Sequence, residues 1–286
     1  MSEMLPKNDL CFKLIFGDRK HKRLLIHFLN SVVESPSPIK EIDIEQTELT
    51  PDYVSGKWSR LDVLATTEEN ERINIEVQLN DENNIIPRTL FYWSKVYSQQ
   101  LQSGVDYCNL KRTISIIISD FKLFDDSRFW HKGHITDDET KERMTNLLEL
   151  HFLELKKMRQ VSATNPITVW LEFLRNPYSE NVTKYEKTIP ELKEARELYG
   201  KIRSDKKAQE LWRLREKAIY DEHSALSAAE RRGIAEGEAI GVEKGALSKA
   251  RETAIKLLSM GLSVEQISEV TGLSSEEIRS VDARKE

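Results

Sequence analysis

Two runs of alternating apolar and polar residues, 60–65 and 73–79, stand on either side of the turn-rich stretch 67–71. This is the pattern of a half-buried β-hairpin with a short loop. If the loop is centred on Glu69, antiparallel pairing sets Asp62 across from Glu76, where side chains of one face lie about 5 Å apart. Period two puts Asn74, Glu76, Gln78 and Asn80 on one face with Asp62, and sends Leu61, Val63, Ala65, Ile73, Ile75, Val77 and Leu79 to the other. A chain built around this hairpin has to form a sheet with one apolar face and one polar face.

Two readings of the polar face stay open. In the first it is an ordinary solvated strand surface, as alternating strands often have. In the second the two facing carboxylates, whose like charges repel, share a cation. Mg²⁺ is the natural occupant, because it takes carboxylate oxygens and keeps waters. A retained water can serve as nucleophile while the ion neutralises charge on a phosphodiester.

The rest of the chain fits an α/β protein. Asn8 or Asp9 caps a short helix carrying Phe12, Ile15 and Phe16. A second helix carries Leu24, Leu25, Phe28, Leu29 and Val32 and stops before Pro36 and Pro38. The strand-like run 39–49 precedes the hairpin, a helix over 86–104 follows it, and the run 112–119 reads as a buried strand. The expected order is α-β-β-β-α-β over residues 1–155, with further strands in 128–136 and 147–155. Residues 156–230 read as a helical extension, with Leu171, Phe173, Leu174, Leu192, Leu198, Leu211 and Leu214 at helical spacing.

Residues 231–250 place Gly233, Gly237, Gly241 and Gly245 four apart. They form either a helix with a close-contact ridge or a hinge, since each glycine costs a helix about 1 kcal/mol. Residues 251–286 contain two short helices begun by Ser263 with Gln266 and by Ser274 with Glu277, meeting at Thr271 and Gly272. The layout is that of a helix-turn-helix. The second helix, however, carries Glu276, Glu277 and Asp282 against Arg279, Arg284 and Lys285, which suits protein contact better than a phosphate-lined groove.

Among the 286 residues, 32% are charged and the net charge is −5, so any nucleic-acid contact has to come from local basic patches. Arg19, Lys20, Lys22 and Arg23 form one; Arg88 and Lys95, seven apart on one helix face, form another. No apolar stretch approaches the roughly 20 residues of a membrane span, and the N-terminal MSEMLPKND has no signal-like apolar region, so the expectation is a cytoplasmic protein. Cys11 and Cys108 lack CxxC spacing and are expected to be buried thiols in a reducing compartment. No GxxxxGK[ST] or GxGxxG motif occurs. His131 and His134 read as a strand or loop pair, Tyr92 and Tyr97 as packing residues, and Glu45 and Asp52 as additional acids before the hairpin.

The sequence resembles the PD-(D/E)XK nuclease superfamily, in its Rpn branch of recombination-promoting nucleases and transposases. The resemblance rests on Asp62 followed fourteen positions later by Glu76, Val77 and Gln78 within the α-β-β-β-α-β order. It also rests on Asn8 and Asp9 with the run FKLIFG at 12–17, on Arg88, Tyr92 and Tyr97 in the helix after the hairpin, and on the tail AIKLLSMGLSVEQISEVTGLSSEEI. It implies a restriction-endonuclease-like core, Mg²⁺-dependent DNA cleavage, and a link to recombination or mobile elements. By that resemblance Asp62 and Glu76 are metal ligands, Gln78 takes the place of the superfamily's lysine, and Asp9 is a further acid near the site. Gln78 is neutral, so it can orient a water or phosphate but supplies no positive charge. Leu61 stands where the superfamily has a proline. DNA is the expected partner, together with homo-oligomers formed through the C-terminal helices. The alternative is a weakly active or inactive nuclease fold that serves in DNA binding and assembly.

Overall fold

The computed structural model describes residues 3–35, 37–45, 62–101 and 106–282. Two compact units divide it, Met1–Glu216 and Lys217–Glu286.

In the first unit, α1 (Asp9–Phe16) and α2 (Lys22–Val32) lead into β1 (Ile42–Ile44), β2 (Val63–Thr67) and β3 (Arg72–Gln78). Helix α3 (Ile85–Ser98), β4 (Thr113–Ser119), β5 (Trp130–Gly133) and β6 (Leu148–Glu154) follow, then α4 (Pro166–Arg175), α5 (Glu180–Tyr185) and α6 (Pro190–Ser204). The strands form one six-stranded sheet in the order β1-β2-β3-β4-β6-β5. Strands β1, β2 and β3 are antiparallel, β3, β4 and β6 are parallel, and β5 runs antiparallel along β6.

The hairpin register follows the centre at Glu69: Val63 pairs with Ile75, Leu64 with Asn74 and Ala65 with Ile73. Asn70 makes the reversal with a left-handed φ of 62°, a conformation asparagine tolerates better than most residues. Parallel β3 and β4 need a crossover, which α3 supplies. All seven residues of β4 are buried, as expected of a central parallel strand covered on both faces.

One sheet face carries Ile73, Ile75, Val77, Ile114, Ile116, Ile118 and Leu153. It packs with α1, α2 and the helices after β6 into the main core. There Trp170 meets the rings of Phe16 and Phe28 at 5.5 and 6.3 Å, and Phe12 meets Phe16 at 4.7 Å. The Trp170 indole N–H donates to His27 Nδ1 at 2.9 Å, so the largest core side chain leaves no donor unmet. Truncating it to alanine would cost about 3–5 kcal/mol. The opposite face is not a solvated surface. Ile117, Leu148, Leu150 and Phe152 form a second core with Ile85 and Phe121, with Trp93 of α3 packed against it. Asn74 and Glu76 are buried at 1% and 3% exposure.

Two further expectations need correction, on Cys108 and on the helix after the hairpin, and one open pair of readings is decided. Cys11 is buried, but Cys108 is exposed, because its short 3-10 turn, Tyr107–Asn109, contributes no buried residue. The helix expected over 86–104 ends at Ser98; residues 102–105, like Asp52, Arg60 and Leu61, lie outside the described residues. The glycine repeat is helical: α7 runs without interruption over Lys206–Ser259. A Cβ added at Gly233, Gly237, Gly241 or Gly245 would meet nothing within 4 Å.

In the second unit, α8 (Val264–Thr271) and α9 (Ser275–Asp282) pack with the end of α7 around Ala254, Ile267, Leu273 and Ile278. Ser263 and Gln266 form the reciprocal capping box, and Ser274 and Glu277 exchange the same pair of bonds. Gly272 closes α8 at φ 73°, where a side chain would be strained. No helix among the described residues is long and apolar enough to cross a membrane.

Candidate active site

The site lies where the parallel strands end. Gln78 of β3, Ser119 of β4 and Glu154 of β6 are the last residues of their strands and stand in register. β2 runs the other way, so its first residues lie beside the last ones of β3. Asp62 is the residue immediately before β2, and its Oδ2 accepts the Val77 N–H at 2.7 Å. That bond fixes the carboxylate one residue from Glu76, as the hairpin register demands.

Glu76 points to the face covered by α3. Its two oxygens accept from Asn74 Nδ2 and Gln78 Nε2, both at 3.2 Å. Arg88 reaches it from α3 at 3.8 Å and also approaches Glu82 at 3.6 Å. Because Gln78 donates its amide N–H to Glu76, its first role is to orient that carboxylate.

Charge is concentrated at this point. Burial pushes the Asp62 carboxyl up to about 8, and the charges of Asp9 and Glu76 add to the rise. The Val77 N–H and the Lys13 charge oppose it. Glu76 is also raised, mainly by burial, against the pull of Asn74, Arg88 and Gln78. Asp9 and Lys13 sit one turn apart on α1, so the helix turns both toward the same place. The Lys13 ammonium is buried from solvent.

Asp9 is held from two sides. Its Oδ1 accepts the Leu10 N–H at 2.7 Å. Its Oδ2 accepts Nε and Nη2 of Arg215, on α7 within the first unit, at 2.9 and 2.7 Å. Lys7 binds Asp120 at 2.6 Å, and Asp120 continues β4 past its last residue by donating its N–H to the Gln78 carbonyl.

The structure thus brings together Asp9, Asp62, Glu76, Gln78 and Arg88 of the residues singled out in the sequence. The basic patch at 19–23 is engaged elsewhere. Arg19 donates to the Ile44 carbonyl and faces Asp43, Lys22 pairs with Glu41, and Arg23 with Glu194; Lys20 is exposed. Lys95 lies over the Phe91 ring at 5.0 Å, and Tyr97 stacks on Trp93 at 4.9 Å.

Sequence reasoning missed Lys13, whose signal was its place four residues after Asp9. It missed Asp120, at the end of the strand paired with β3, and Arg215, which has no local signal because it lies 206 residues from Asp9. It also missed what surrounds His131. That ring lies between Asp126 at 3.0 Å and Glu154 at 3.3 Å. Buried Glu154 further accepts from the Leu123 N–H and pairs with Lys157 at 2.9 Å.

Among the described residues no three His, Cys, Asp or Glu side chains converge as a ready-made metal cluster. A pair of carboxylates supplemented by amide or main-chain oxygens and water is nevertheless a set that Mg²⁺ accepts. The donors at Asp62 and Glu76 are all oxygen, which suits a hard divalent ion.

A family profile described as PD-(D/E)XK nuclease family transposase matches residues 6–229. The chain belongs to this family. Its mixed α/β architecture with a six-stranded sheet and a long C-terminal helix agrees with a PD-(D/E)XK fold, and its family links it to nucleases of mobile elements. The matched span takes in every residue of the site, from Lys7 to Arg215. No curated protein and no solved structure matches the chain.

Proposed function

We propose that this family member is a Mg²⁺-dependent DNA endonuclease whose metal is held by Asp62 and Glu76. The observation that carries the reading is two carboxylates fixed side by side at a strand end, Glu76 buried and Asp62 partly so. Each is driven toward protonation by burial, and Asp62 further by the charge of its neighbours Asp9 and Glu76. A fold that keeps such groups adjacent gives up stability to do so, and a dication removes the repulsion. When bound, the ion supplies an activated water and neutralises charge on the phosphodiester.

The chain's own residues do the rest. Val77 N–H holds Asp62 in place, Asn74 and Gln78 orient Glu76, and α3 shields Glu76 from solvent. The donor set accommodates Mg²⁺ with water completing its shell. In this reading residues 1–155 form the catalytic domain on the superfamily's α-β-β-β-α-β core and residues 156–230 buttress it. Residues 231–286 would join copies of the chain through the exposed Ile234, Ile240 and Val242 of α7. The reducing cytoplasm, where DNA is at hand, suits the exposed thiol of Cys108.

Cleavage of supercoiled plasmid by the purified protein tests the proposal, with Mg²⁺ or with chelator, and beside an Asp62→Ala variant checked for folding by circular dichroism. Nicking or linearisation that needs both the ion and Asp62 supports it. A folded wild type that leaves plasmid intact would instead favour a DNA-binding and assembly protein on an inactive nuclease fold.

A further inference from the structure

The strand position of Gln78 carries no positive charge, yet phosphodiester cleavage concentrates negative charge on the phosphate. Four other cations surround the site among the described residues, and their placements differ. Lys13 has its ammonium buried from solvent, where it serves Asp62 from within the fold. Arg88 lies between Glu76 and Glu82, and Lys7 is bound to Asp120. Arg215 has its side chain 28% exposed, against 24% for Arg88 and 20% for Lys7, and its partner Asp9 is 18% exposed. Its guanidinium sets both Nε and Nη2 on a single Asp9 oxygen. The start of α7 that presents it is anchored in the core by Ala208 and Trp212.

We propose that Arg215 is the phosphate-facing cation of this site, supplied by the helical extension in place of a lysine at position 78. A planar guanidinium matches a phosphate's oxygens as well as a carboxylate's. Asp9 therefore acts as its holder: it sets the direction of the fork in the free protein and shares it with a backbone phosphate when nucleic acid arrives. The substrate class follows from the same chemistry, since the contact reads a phosphate and no base. The helix after the sheet domain is on this view a working part of the site.

The inference rests on the nuclease reading, so the test separates the two. Wild type, Arg215→Gln and Arg215→Lys are compared in full-length protein. Glutamine keeps a donor for Asp9 without the charge; lysine keeps the charge without the fork. Three readouts are taken: plasmid cleavage with Mg²⁺, Mg²⁺ affinity by calorimetry, and binding of a duplex oligonucleotide in Ca²⁺ over a series of salt concentrations.

Arg215→Gln is expected to cut roughly 100- to 1,000-fold more slowly, and Arg215→Lys to fall between it and wild type. Mg²⁺ affinity should stay within about threefold. The slope of log affinity for the duplex against log salt should fall by about one, the signature of one lost phosphate contact. A residue that only braces Asp9 would not move that slope. If wild type cuts and Arg215→Gln cuts within threefold of it, the inference is overturned and the nuclease reading stands. If wild type does not cut, the nuclease reading fails; duplex binding then decides, and an unchanged salt slope in Arg215→Gln overturns the role of Arg215 as well.

Discussion

Replacing Asp62 by asparagine should make the protein more stable while removing its proposed activity, and the gain should depend on pH. In the metal-free fold the Asp62 carboxyl is raised from 3.8 to about 8, chiefly by burial. Between those values the folded protein keeps the proton and the unfolded chain has lost it. The folded state therefore binds more protons, and stability falls as pH rises from about 4 to 8. At 1.36 kcal/mol per unit the full span would be worth about 5–6 kcal/mol. Asp62 keeps partial exposure, so water relieves some of this, and about 2–3 kcal/mol is the magnitude expected.

The asparagine side chain has no charge to lose, and its amide oxygen can still accept the Val77 N–H. The excess stability of Asp62→Asn should be near zero at pH 4 and grow to about 2–3 kcal/mol at pH 8, measured by urea denaturation in chelator. Added Mg²⁺ should raise the wild-type midpoint at pH 8 and leave the variant unmoved, because an ion that binds only the folded state stabilises it by mass action. A difference that is flat with pH, or a variant less stable than wild type at pH 8, would refute the reasoning.

Away from the site, Glu149 is held down to about 2 by His151 and Arg112, which outweigh its burial. It should contribute up to about 3 kcal/mol above pH 4.5 that is lost as pH falls toward 2, and Glu149→Gln should flatten that limb of an acid titration. Lys157→Met removes a cation bonded to buried Glu154 and should cost about 3 kcal/mol in urea denaturation; a loss below about 1 kcal/mol would contradict that pairing. A thiol reagent should modify exposed Cys108 in the native protein. It should reach Cys11, whose thiol is buried and pushed up to about 12, only on unfolding; equal rates would contradict the core.

The hairpin was legible because its information is local. Alternation fixes which residues share a face, and a loop centred on Glu69 fixes the register that sets Asp62 beside Glu76. The same alternation could not say that α3 returns over the polar face, since that depends on packing across the parallel pair β3 and β4. The solvated reading of the polar face therefore stays open in the sequence, and the fold closes it by burying Glu76. The capping residues Ser263 and Ser274 announced α8 and α9 because a cap is a contact between near neighbours. Arg215 and Asp9 meet across 206 positions, and no spacing rule reaches that far. The glycine repeat left helix and hinge open, and α7 runs straight through it.

The central claim is that the Asp62 and Glu76 pair holds the ion that cuts DNA. The most direct measurement is cleavage of one supercoiled plasmid preparation by wild type and by Glu76→Gln, each with Mg²⁺ and with chelator. Glutamine keeps the shape of the side chain and removes its charge. Cutting by wild type that stops with chelator, and falls at least roughly 100-fold in Glu76→Gln, is the predicted result. Equal Mg²⁺-dependent cutting by the two proteins would contradict the account.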